Sequence, residues 1–176
     1  MSAKWEELRL EEVLELRYGK ALPATARNPQ GNFPVYGANG EKDRSNSYLY
    51  DRPSIIVGRK GSAGELNLTE SKFWALDVTY YVVFDEKRHD LQFLYYLLGS
   101  LDLPSMAKGV KPGINRSEVY ARRVKVPSLK EEQRIVALLD CAFENIASAR
   151  EITERKLVAL SDLERSLLGQ ALSGHL

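Results

Sequence analysis

The stretch from Ser128 to Leu176, SLKEEQRIVALLDCAFENIASAREITERKLVALSDLERSLLGQALSGHL, decides how this chain is organised. Ser128 follows Pro127 at an N-cap position, and Glu131 stands where a capping box needs it. Apolar residues then recur three and four apart: Ile135, Leu138, Leu139, Ala142, Phe143, Ile146 and Ala149. A second stripe follows at Leu157, Leu160, Leu163, Leu167 and Ala171, and Ser173-Gly174 offers a stop with Gly174 at C′. Between the stripes lies a polar waist of Arg150, Glu151, Glu154, Arg155 and Lys156. The pattern predicts one helix over 130–172, ~64 Å long at the usual rise per residue. A head built from the preceding residues is too small to bury all of it. One way out is a hairpin broken at the waist, but no Gly or Pro there turns the chain. The expectation is self-association, with Ile135, Leu139, Ala142, Ile146, Leu157, Leu160 and Leu167 in the seam.

The 176 residues suffice for one domain with a sizeable core and an appendage. The opening MSAKWEELRL lacks the apolar core of a signal peptide, and no apolar run reaches membrane-spanning length. A single cysteine, Cys141, excludes an internal disulfide and fits a reducing cytoplasm; it reads as a small buried apolar residue. The net charge of +1 decides nothing, but its distribution does. Lys108, Lys111, Arg116, Arg122, Arg123 and Lys125 face only Glu118 between 105 and 127, and the tail leans acidic. A polyanion-binding head on a protein-binding stalk has that asymmetry.

The head, 1–127, reads as mixed α/β in short pieces. Leu8–Leu10 is a first strand, Glu11–Leu16 (EEVLEL) a short amphipathic helix, and 17–34 an irregular loop. Ile55-Ile56-Val57 begins a buried strand that breaks at Gly58. Thr79–Phe84 (TYYVVF) is β-branched and aromatic throughout, the composition of a central strand. Asp90 caps a buried helix, and 122–127 forms a last strand with Val124 and Val126 inward.

Catalytic patterns are weak. GRKGSAG (58–64) has neither dinucleotide-binding nor phosphate-loop spacing. His89 and His175 have no metal-ligating company and read as solvent-facing. Asp77 with Asp85-Glu86-Lys87 imitates a metal-dependent nuclease, but the acidic points flank one strand. They stand roughly 26 Å apart, too far to share a magnesium ion whose ligands lie at about 2 Å. No Asn/Asp-Pro-Pro-Tyr/Phe motif is present to hold a target base. Chemistry, if this chain serves any, belongs to a partner.

Three glycine-rich segments remain: 36–40, 58–64 and 108–116. Each could be a solvated turn, since turns attract glycine and charge. Three in one head, each joined to Asn, Lys or Arg, point instead to a DNA-reading surface. Arg59 and Lys60 carry donors for guanine, Asn39 and Asn115 can pair with adenine, and Lys108, Lys111 and Arg116 add positive charge. Composition does not separate DNA from RNA. Tyr36, Tyr48 and Tyr50 either line the same surface or half-fill the core.

Head and tail together resemble the specificity (S) subunits of type I restriction–modification systems. The resemblance is carried by Trp5, Leu8 and Gly19-Lys20, by PVYGANG (34–40), IVGRKG (56–61) and GINRS (113–117). It continues through Val126-Pro127, Leu129, Glu132-Gln133, Ile135-Val136, Leu139-Asp140 and Phe143 to Ser166-Leu167-Leu168 and ALSG (171–174). It implies an α+β chain: a target-recognition domain (1–127) and a spacer helix (128–176) for dimerisation and methyltransferase docking. Such subunits have no catalysis and no cofactor of their own. They direct a methyltransferase subunit, which binds S-adenosylmethionine and methylates adenine N6 in double-stranded DNA, and a restriction subunit driven by ATP and Mg. The usual member carries two recognition domains and two spacers; this chain has one of each, as in a half-subunit. The expectation is a cytoplasmic homodimer joined as an antiparallel coiled coil, reading a split palindrome. The rival class is a protein-interaction module that never contacts bases.

Overall fold

The computed structural model describes residues 5–173. It divides into two compact units, Met1–Gln133 and Arg134–Leu176.

The first unit opens with β1 (Glu6–Arg9), a single turn α1 (Leu10–Val13) and β2 (Leu14–Tyr18). The expected helix over EEVLEL forms only in its first half. Its second half is extended because Leu14 and Leu16 alternate with Glu15 and Arg17, a period of two that lets the leucines face the core. Next come β3 (Phe33–Gly37) and β4 (Gly40–Ser45), a hairpin turning on Ala38-Asn39. Of this hairpin, the sequence alone reads 33–34 and 36–40 as loop and assigns nothing to 41–45. GEKDRS has no apolar alternation because β4 is an edge strand, bonded to β3 alone.

The remaining strands are β5 (Ser54–Gly58), β6 (Leu66–Thr69), β7 (Trp74–Ala75), β8 (Thr79–Phe84) and β9 (Arg123–Val126). They form three sheets, ordered β1-β9, β2-β8-β5-β6 and β4-β3-β7. All pairings are antiparallel except β3 with β7. β8 is central as its composition predicts: Leu16 pairs Val82 on one side and Ile56 pairs Tyr81 on the other. Ile56, Phe73, Ala75 and Tyr81 form a buried cluster that Tyr36, Leu49, Tyr50 and Val83 complete. The rings of Phe73 and Tyr81 meet edge to face at 5.8 Å. Tyr36 and Tyr50 thus belong to the core, while Tyr48 lies outside against Phe33, under the Lys72 ammonium.

Helix α2 (Leu91–Ser100) starts at Asp90, whose carboxylate accepts from Phe93 N–H, and it buries Phe93, Leu94 and Leu98. A short α3 (Arg116–Tyr120) precedes β9, in which Val124 and Val126 face inward. His89 corrects its solvent-facing reading. It is buried, with Nδ1 2.9 Å from a carboxylate oxygen of Glu132, itself fully buried. The other oxygen accepts from Asp90 N–H at 2.6 Å. The reason is long-range: Glu132 lies in the first turn of α4 (Leu129–Leu172) and completes the hydrogen bonding at the entrance to α2.

α4 continues through the second unit without a break at the waist, so the hairpin alternative does not form. At the start, the Ser128 carbonyl accepts from the amides of Glu131 and Glu132. Cys141 is exposed on α4, against the buried reading. Ile135 and Leu139 are half-buried; Ala142, Ile146, Leu157, Leu160 and Leu167 are exposed, as are Phe143, Leu163 and Leu168. The expected stop at Gly174, and His175, lie outside the described residues. Among the described residues no helix is long and apolar enough to cross a membrane.

Candidate nucleic-acid interface

Antiparallel pairing brings strand ends together, and here it joins three loops far apart in sequence. β5 ends at Gly58, where a Cβ would lie 2.0 Å from the Ser62 carbonyl oxygen and 2.8 Å from that of Ala38. Only a residue without a side chain lets the tip of the β3–β4 hairpin and the 58–64 loop approach so closely. Gly64 is similar: its φ is +87°, and a Cβ would come within 2.4 Å of Pro104 N.

The 58–64 loop is tied to the 108–116 loop by backbone bonds. Gly61 N–H donates to Pro112 O at 2.9 Å and Ile114 N–H to Arg59 O at 3.1 Å. Reciprocal bonds between Lys108 and Gly113 close the second loop on itself. Arg59 and Lys60 amides both donate to Val78 O, at 2.9 and 3.1 Å. The three segments singled out by their glycines therefore form one surface.

The charged and amide residues on it fall into two groups. Asn39, Lys60 and Lys111 are exposed, and no hydrogen bond or ion pair of their side chains is formed among the described residues. Arg59 and Arg116 are half-buried and held. Arg59 Nε–H and Nη2–H donate to the Asp77 carbonyl at 3.1 and 2.6 Å. Arg116 Nη1–H donates to the Leu16 carbonyl at 3.1 Å. Both guanidiniums sit over the ring of Tyr18, at 5.3 and 4.9 Å, and Arg116 also approaches Tyr120 at 5.6 Å. Tyr18 meets Tyr80 at 5.0 Å, and the buried Tyr80 hydroxyl donates to Ile114 O at 3.3 Å. Burial, and then the neighbouring Tyr18 phenol, push the Tyr80 phenol up to about 12.

The remaining two predicted residues have local duties. Lys108 Nζ pairs with both Glu118 carboxylate oxygens at 2.8 and 2.9 Å. Asn115 caps α3, its side-chain oxygen accepting from Ser117 N–H at 2.9 Å. Tyr18 escaped sequence reading although it directly precedes Gly19-Lys20. No local pattern marks an aromatic that serves as a platform for two arginines from elsewhere in the chain. Asp77 and Asp85 flank opposite ends of β8, and no group of three or more His, Cys, Asp or Glu side chains among the described residues is placed to hold a metal ion.

The geometry suits a polyanion better than a small molecule: an open, basic surface of loops braced by a sheet. The chain is 26% identical over 175 residues to the type I restriction enzyme EcoDI specificity subunit of Escherichia coli, covering 98% of this chain and 38% of that one. It is 23% identical over 151 residues to the EcoprrI specificity subunit of the same organism, covering 82% of this chain and 37% of the relative. The chain thus spans less than two-fifths of the length of either relative.

Solved structures share the fold. A chain from a study of complex assembly and conformational transition in the type I R-M system superposes with a TM-score of 0.80 at 21% identity, over 98% of this chain and 46% of that one. The S subunit of M. genitalium gives 0.70 at 22% identity, over 88% and 44%. The HsdS subunit of Thermoanaerobacter tengcongensis gives 0.70 at 21%, over 100% and 46%. The family described as type I restriction modification DNA specificity domain matches residues 2–155, most of the chain, and it is to this family that the chain belongs.

Proposed function

We infer that this chain reads DNA sequence on behalf of a type I-like restriction–modification complex in the cytoplasm. A specificity domain contributes recognition rather than catalysis, and the observation that carries the inference is the fusion of the three glycine loops into one basic surface. The surface meets double-stranded DNA, with Asn39, Arg59, Lys60, Lys108, Lys111, Asn115 and Arg116 at or around it. The chemistry belongs to partners: a methyltransferase subunit that binds S-adenosylmethionine and modifies adenine N6, and a restriction subunit where the host has one.

α4 serves as the spacer. Leu157, Leu160, Leu163 and Leu167 stand roughly half exposed or more on a helix of 44 residues, an apolar seam that a second helix covers. We assign that place to a second copy of this chain, running antiparallel, with the spacer also docking the methyltransferase. An antiparallel pair sets Arg150 and Arg155 near Glu151 and Glu154 of the twin, whereas a parallel pair in register faces like charge with like and crowds two basic surfaces at one end. Two-fold symmetry then gives inverted, identical half-sites separated by a gap of fixed length.

The test is methylation mapping of the chain assembled with its methyltransferase subunit, with sedimentation to count copies. The expected target is a split palindrome that tolerates no change in gap. Leu160→Asp, which places a charge in the seam, should halve the sedimenting mass of the isolated chain and abolish methylation at that target. A monomeric wild-type chain, or an asymmetric target read without a second specificity protein, refutes the assembly.

A further inference from the structure

The two pinned arginines differ from the free lysines in what they can reach. We propose that Arg59 and Arg116, converging on Tyr18, form a preset phosphate clamp that fixes the register of the head on the DNA backbone, leaving base reading to Asn39, Lys60 and Lys111. The proposal rests on the DNA-binding reading above and assigns roles within that surface.

Charge is the first argument. Neither guanidinium has a carboxylate partner among the described residues, and both crowd one aromatic ring. Two like charges gathered without a counter-ion are repulsive, and the ring's electron-rich face offsets only part of that repulsion. An anion bound beside them offsets it. A phosphodiester suits best, because its oxygens accept several guanidinium N–H bonds at once.

Reach is the second argument. Base edges lie at the floor of a major groove about 8.5 Å deep. A side chain that reads them must project past the phosphates. Arg59 is folded back onto the Asp77 carbonyl and Arg116 onto the Leu16 carbonyl. Held that way, they meet the rim of the groove and not its floor. Each still has N–H groups to offer, since those bonds use two donor nitrogens of Arg59 and one of Arg116. Lys60, Lys111 and Asn39 have no such tether and are free to extend.

Rigidity is the third. The ring that both arginines touch is fixed by Tyr80, and Tyr80 is bonded to the 108–116 loop. Arg59 O and Ile114 N–H join the same two loops. A clamp whose parts are already in place loses little side-chain entropy on binding. Contacts of this kind position a protein without carrying sequence information.

The experiment measures affinity of the assembled methyltransferase complex for a duplex bearing the mapped target and for a scrambled duplex of equal length, across a salt series. Because the complex carries two copies of this chain, Arg59→Gln and Arg116→Gln should each lower the slope of log affinity against log salt by about 1.8, about 0.9 per copy. Both duplexes should weaken by the same factor, ~30-fold at physiological salt, so that discrimination stays constant. Arg116→Lys should keep the slope, and Tyr18→Leu should weaken both duplexes alike. Urea midpoints of the variants show that each is folded. A fall in discrimination for either Gln variant makes that arginine a base reader and overturns the proposal. An unchanged slope makes the pair structural and overturns it equally. A wild-type complex that did not distinguish the duplexes would refute the specificity reading itself, while the slopes still judged the clamp.

Discussion

Replacing Glu132 by alanine tests how the head is closed, because this fully buried carboxylate serves the buried His89 ring and the half-buried Asp90 residue's amide at once. One oxygen stands 2.9 Å from His89 Nδ1 and the other accepts from Asp90 N–H at 2.6 Å. Alanine leaves both groups without that partner. Each orphaned group costs about 1–3 kcal/mol, so the loss is about 2–6 kcal/mol. Set against a total stability of about 5–15 kcal/mol for an ordinary domain, that is severe. Fluorescence of Trp74, half-buried and bonded to the Lys20 carbonyl at 2.9 Å, reports the head rather than α4. With a urea slope of about 2 kcal/mol per molar, the midpoint falls by about 1–3 M. Glu132→Gln keeps the shape and one acceptor but turns an amide donor toward a second donor, so its loss is about half as large. All variants must be compared at one protein concentration, since self-association adds to apparent stability. Glu70→Ala, an exposed residue, is the control and should move the midpoint by less than ~0.25 M. A Glu132→Ala midpoint no lower than that of the control refutes the reasoning, and so does a Glu132→Gln variant less stable than the alanine variant.

Two further outcomes follow from the loop surface. Gly58→Ala drives a Cβ to within 2.0 Å of a backbone oxygen that has no room to yield, so it should cost at least the ~3 kcal/mol of severe overpacking and abolish target methylation; a normally stable, active variant means the loops do not meet there. Tyr80 gives a pH signature. Its folded pKa of about 12 lies above the ordinary 10.0, so the stability it contributes is intact below pH 10 and is lost as pH rises through about 12. Tyr80→Phe should remove one late-ionising phenol from the 295 nm titration and flatten the alkaline fall in stability. A titration identical to wild type sinks that assignment.

Local chemistry was enough to place several elements. α4 is written in its three-and-four spacing, its start in Pro127-Ser128, and the entrance to α2 in Asp90, whose cap reaches only three residues ahead. β8 is legible from β-branched and aromatic residues that suit a strand bonded on both sides. Resemblance supplied the family, and glycine with charge supplied the three loops. Edge strand β4 stayed hidden because half-solvated pairing demands no apolar alternation, and the second half of EEVLEL is strand because tertiary pairing with β8 outweighs local helical preference. The site needed the tertiary structure. His89 and Glu132 stand 43 residues apart, and Leu16 and Arg116 stand 100 apart. Tyr18 collects its two arginines only after β2, β5 and α3 have been brought to one end of the sheet. Sequence patterns report interactions a few residues long; which loops become neighbours depends on the pairing of strands, and that is settled by burial of the whole head at once.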